Sequence, residues 1–72
     1  MTRSEMAARI GFYAGMIYHH FGDMSDAQRW LGKAEQLTEE AYMEHAYQMQ
    51  ERLRAGGFIQ ADEDPWESAN GR

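Results

Sequence analysis

Three histidines and a scatter of carboxylates are the residues whose types could do chemistry here. His19 and His20 are adjacent, His45 stands apart, and Glu40 and Glu44 lie near it in sequence. Imidazole and carboxylate together are the vocabulary of a zinc site. The spacing argues against one. Neighbouring residues on a helix diverge by about 100°, so His19 and His20 do not aim at one ion. His45 falls within an apolar stripe, the usual setting of a hydrogen-bonded structural histidine. A metal-dependent enzyme would need zinc held by His45 and lost in His45→Ala. Nucleophilic catalysis has equally little to build on. There is no cysteine, and the three serines sit in no nucleophile elbow. Gly11-x-x-x-Gly15 lacks both the following Lys-Ser/Thr and the preceding strand of a phosphate loop. The expectation is a non-enzymatic chain with no cofactor and no metal, acting through its surface.

The elements that position these residues read as all-α. Met6, Ile10, Tyr13, Ala14, Ile17 and Phe21 recur at helical spacing, and Thr2 with Glu5 offers a capping box. This predicts a first helix over about 4–21. Gly22 can end it in the left-handed conformation, and Ser25 with Gln28 offers the next capping box. Ala27, Trp30, Leu31, Ala34 and Leu37 then predict a second helix over 25–37, folded back on the first as an antiparallel hairpin. Thr38 caps a third over 39–55, with Glu39 and Glu40 in its first turn and Arg52 and Arg54 in its last. Its stripe is Tyr42, His45, Ala46, Met49 and Leu53, widened by Met43 and Tyr47. Gly56-Gly57 stops it, and Phe58-Ile59 can fold back. This divides the chain into a helical domain over 1–59 and an acidic tail over 60–72. Pro65 should keep that tail from regular helix, leaving it flexible.

The order Ala14-Gly15-x-x-Tyr18, then Gly22-Asp23, Ala27-x-x-x-Leu31, Ala34 and Leu37, resembles a single tetratricopeptide (TPR) repeat over 8–41. Gly11 stands where that family commonly has Trp, and Glu39 where it has Pro. The resemblance implies a helix-turn-helix unit whose first helix lines a ligand groove. Carried over by position, the groove residues are Arg9, Phe12, Met16, His19 and His20. Apart from Arg9, the cationic and amide residues that such clamps use for a terminal carboxylate are missing. The implied ligand is therefore a helix or an apolar peptide.

Composition bounds the rest. A chain of 72 residues is at most one domain. At this size folding buries only about 60% of the unfolded surface. With no disulfide or metal, a small helical protein gains core by oligomerising, so a homodimer is expected. The net charge of −5 disfavours nucleic acid as a direct partner. No apolar run is long enough for a membrane span and no signal-peptide pattern opens the chain, so a cytoplasmic location is expected.

The candidate surface is on the first helix. Phe12, Met16, His19 and His20 lie beside the main stripe, and a helix apolar nearly all round is covered nearly all round. Gly11 and Gly15 share one face at a cost of about 1 kcal/mol each against alanine. Either they admit another helix of the same chain or they mark a close crossing with a second copy. Tyr18 should fill space beside them. Trp30 reads as a seam residue or a binding anchor. Trp66, in its acidic setting, reads as a cover for the core or as a linear motif that docks on a partner. Two functions follow. One is a self-associating module that binds a partner protein through a Met- and aromatic-rich face. The alternative is an acidic inhibitor or nucleic-acid mimic, of the mobile-element type, that blocks a basic site. The second needs Glu39, Glu40, Glu44, Glu51 and the Asp62–Asp64 cluster on one continuous face.

Overall fold

The computed structural model describes residues 1–25, 28–29, 32 and 38–70. Within these the chain is all-α: α1 (Arg3–Phe21), α2 (Glu39–Ala55) and a short α3 (Pro65–Asn70), with no strand among the described residues. The predicted second helix, with Ala27, Trp30, Leu31, Ala34 and Leu37, falls largely outside the described residues. So does the second half of the TPR resemblance.

Each long helix starts where a threonine frees it from an unsatisfied donor. Thr2 is extended, and its Oγ1 accepts the Glu5 N–H at 3.0 Å. Thr38 does the same for Ala41 at 3.1 Å. Such caps are worth about 1 kcal/mol each. The ends are set by glycine. Gly22 sits at φ 75° and donates to the Tyr18 carbonyl at 2.8 Å. Past α2, Gly57 takes the left-handed position at φ 80°. Its N–H reaches Arg54 O at 3.0 Å, and the Phe58 N–H reaches Leu53 O at 3.0 Å, the paired bonds of a Schellman stop.

One core joins α1 and α2. From α1 it takes Met6, Ile10, Tyr13, Ala14 and Ile17. From α2 it takes Tyr42, His45, Ala46, Met49 and Leu53. Ile59 closes it from the loop. These are the predicted stripes, with differences at the margins. Phe21, Met43 and Tyr47 were expected inside, yet they are 41%, 58% and 62% exposed. Tyr18, expected to fill space between helices, is 55% exposed. The two long helices run the same way. Arg52 reaches Asp23 and lies over the Phe21 ring at the C-terminal ends of both, while Gln50 reaches Tyr13 further back.

Turns at 60–64 lead into α3, where the sequence reading placed a flexible tail. Proline explains the difference. Pro65 occupies the first helical position, where a missing N–H costs nothing. Asp64 just before it accepts the Trp66 N–H at 3.0 Å, as an N-cap does. The turn itself is stitched by Glu63, which accepts from the Gln60 N–H and the Ser68 hydroxyl, both at 3.0 Å. These bonds hold its carboxyl below the usual range, the Gln60 N–H contributing most.

Candidate functional site

The sequence-predicted site residues divide into two groups, one at the middle of α1 and one at its C-terminal end. Arg9, Phe12 and Trp66 form the first. Trp66 meets Phe12 edge-on, with centroids 5.6 Å apart, and the Arg9 guanidinium lies 5.5 Å from the Trp66 centroid. An edge contact suits the ring quadrupoles, and a cation suits the indole face. Arg9 also lies 3.5 Å from both Glu5 and Glu67. Phe12, Met16 and Trp66 are all half-buried and packed against the core. The surface expected at Phe12 and Met16 is thus partly used by the chain itself: Trp66 of the tail meets Phe12, and Met16 packs against the core.

His19 and His20 form the second group, exposed at the end of α1. His20 stacks on Phe58 at 3.9 Å, and Phe58 meets Phe21 edge-on at 5.4 Å. His45 is buried in the core, well apart in setting from these two. Among the described residues no three histidines or carboxylates gather as they would around a metal ion. Gly15 is exposed and Gly11 half-buried. A Cβ built on either meets no atom within 4 Å among the described residues, so neither marks a close helix approach there. Trp30 lies outside the described residues.

Three residues not singled out from the sequence as a site carry the best-defined polar geometry. Tyr13 is buried, and its phenol donates to Asp64 Oδ1 at 2.8 Å and accepts from Gln50 Nε2 at 3.2 Å. Burial first, and then the bond to the Asp64 carboxylate, push the phenol pKa up, so it stays a donor. The signals were available: a tyrosine within an apolar stripe needs a partner for its hydroxyl, and Asp-Pro is a helix start.

Beside this trio lies an open groove of about 420 Å³, between α1, α2 and the tail. Tyr13, Gln50, Asp64 and Arg9 supply its polar lining, and Met1, Met43 and Tyr47 its apolar rim. Met43 and Tyr47 are one helical turn apart on α2 and both stand free in solvent. The arrangement offers a polar floor and adaptable apolar contacts at the edge, a common make-up for a binding cleft.

Of the carboxylates proposed as a single acidic face, Glu63 is engaged inside the tail, Asp64 accepts from the Tyr13 hydroxyl of α1, and Glu51 pairs with Arg54. Glu39, Glu40 and Glu44 are exposed. No helix among the described residues is long and apolar enough to cross a membrane. No protein-family model matches the chain, and no curated protein or solved structure is significantly similar to it.

Proposed function

We propose that this chain is a small helical interaction module that binds another protein through the outward face of α2 and the groove beneath it. One observation carries the reading. Met43 and Tyr47 are 58% and 62% exposed on adjacent turns of a well-capped helix, with Met1 at 49% on the same rim. Scattered single apolar residues need no explanation, but three around one groove form a patch. Methionine and tyrosine suit such a role, one by adapting its shape and the other by presenting a rigid ring with a polar tip. The site differs from the first-helix face implied by the TPR resemblance, since Trp66 covers part of that face.

A photo-crosslinking residue at position 43 tests the reading in the native host. A discrete crosslinked product, lost when Tyr47→Glu is added, is expected. The product's mass tells a second copy of the chain from a different protein. Labelling spread over many proteins, unchanged by Tyr47→Glu, would count against the module.

The acidic-mimic reading keeps one supporting observation. Glu40, Glu44 and Glu51 fall on the same face of α2 as Tyr47 by helical spacing, and all three are exposed. Its mark is salt dependence. Crosslinking that fades as ionic strength rises, and is lost in Glu40→Gln/Glu44→Gln, supports the mimic over the apolar module.

A further inference from the structure

Helix α3 is held chiefly at its first turn, by Asp64 and Pro65, and it covers a distinctive part of α1. We propose that it is a displaceable ligand in cis. The cradle of Arg9, Phe12 and Tyr13 is then a docking site for a segment of another protein that presents an acidic residue, a proline and an aromatic residue in that order. This rests on the reading of the chain as an interaction module and names a second site and its ligand class.

The ligand chemistry is read from the segment seated there. Asp64 takes the Tyr13 hydroxyl at 2.8 Å, Pro65 is buried, and Trp66 meets Phe12 and Arg9. Glu67 completes the match at 3.5 Å from Arg9. Asp64, Trp66 and Glu67 each have a fitting counterpart on α1, so a segment of the same pattern from elsewhere meets the same counterparts.

Beyond the Asp64 bond and the buried Pro65, the hold on α3 is slight for reasons of geometry. Arg9 divides two long contacts between Glu5 and Glu67, and the Glu67 side chain is 61% exposed. Exposed pairs of this kind contribute little. Trp66 is only half-buried. A helix of six residues has no stability of its own. The turn before it is held more firmly. Ile59 is buried, and Arg54 donates to the carbonyls of Gln60 and Glu63, both at 3.2 Å. Release therefore breaks the Ser68–Glu63 and Tyr13–Asp64 bonds and leaves the turn held by Arg54.

Mass action selects the source of the ligand. An identical tail from a second copy makes only the contacts that the tethered tail already makes, and it has to displace that tail from a lower concentration. A segment of a different protein can add contacts of its own in the groove beside the cradle. Asp64 also lines the groove, so its departure joins the cradle to the space beside Gln50 and Tyr42. The tethered tail competes at an effective concentration in the millimolar range, which sets the threshold an incoming segment must beat.

The test uses the full chain, as wild type and as Asp64→Ala/Trp66→Ala, with a fluorescein-labelled peptide of the tail sequence from Glu63 to Asn70. Anisotropy should show at least about tenfold tighter binding to the double variant, following the effective-concentration estimate. A peptide with its tryptophan replaced by alanine should lose that binding. Equal affinity for both chains, or indifference to the tryptophan, overturns the proposal. If circular dichroism shows that the double variant has lost its helices, hydrogen exchange on the wild type decides. Amides of Ser68 to Asn70 exchanging far ahead of Leu53 support a displaceable α3, and exchange in step with Leu53 overturns it. A wild-type dimer that the double variant cannot form also overturns it, by making a second copy the occupant. Failure of the peptide leaves the crosslink at position 43 untouched, so the two readings fail separately.

Discussion

The Tyr13 hydroxyl and the Asp64 carboxylate lie 2.8 Å apart across 51 positions of sequence, and this bond ties the tail to the core. The same Asp64 oxygen accepts the Trp66 N–H, so one atom both caps α3 and docks it. A bond to an ionised acceptor contributes about 1.5–3 kcal/mol, more than a neutral pair. Tyr13→Phe keeps the buried ring and removes the bond, leaving Gln50 and Asp64 each short of a partner. Urea unfolding should show a loss of about 1.5–3 kcal/mol. A cycle with Asp64→Ala should return a coupling of about 1 kcal/mol or more. Additive losses would mean that the two residues act independently.

Acid should loosen the turn after α1. Asp23 accepts from the Ser25 N–H at 3.0 Å, from the Ser25 hydroxyl at 2.7 Å and from Arg52 at 3.1 Å. In that order these bonds pull its pKa down to about 2 from an ordinary 3.8. A carboxyl lowered by folding stabilises the fold fully above its unfolded value. That contribution is lost as pH falls through the folded one, so the window runs from about 4 down to about 2. In Asp23→Asn, the denaturation midpoint should therefore fall less steeply across this window than in the wild type. Parallel curves would show that other carboxylates govern acid unfolding.

Two glycines should respond to alanine in opposite directions. A Cβ on Gly56 would lie 2.7 Å from the Phe58 ring and 2.9 Å from the Phe21 ring. Those rings are at the surface and can shift, so Gly56→Ala should cost about 1 kcal/mol, the low end for overpacking. Gly15, mid-helix and exposed, meets nothing within 4 Å among the described residues. Gly15→Ala should gain about 0.5–1 kcal/mol from helix propensity alone. Thermal melts of both variants check this. A destabilised Gly15→Ala would reveal a close contact on that face and revive the reading of the glycines as a packing seam.

How much of this was legible follows from the range of each interaction. The limits of α1 and α2 were readable because their caps are local: Thr2, Thr38, Gly22 and the Gly56-Gly57 pair act within a turn or two. The buried stripes were readable because helical period selects one face. The margins were not, since whether Tyr18 or Tyr47 is covered depends on where other segments lie. Ser25 was expected to cap the next helix, but its hydroxyl donates to Asp23, which accepts the Ser25 N–H. Both are good capping residues, and spacing alone does not choose between them. Sequence alone does not choose between core and partner for Trp66, because its contact with Phe12 spans most of the chain. The groove joins three segments distant in sequence, and no local pattern announces it.

The last prediction separates core from surface on a single helix. Leu53 is fully buried beneath the end of α2, whereas Tyr47, on the same helix, is 62% exposed. Leu53→Ala removes packed methyl groups and leaves a void, so it should cost about 2–5 kcal/mol. Tyr47→Ala removes a larger side chain but almost no packing, so its effect should stay within about 0.5 kcal/mol. The contrast bears on the proposed docking face because that face needs the Tyr47 ring to be free of the fold. Unfolding should be measured over a range of protein concentrations. If Tyr47→Ala destabilises only at high concentration, the ring is buried between copies of the chain. If it destabilises as much as Leu53→Ala at every concentration, the ring supports the fold itself, and the docking face proposed on α2 is lost.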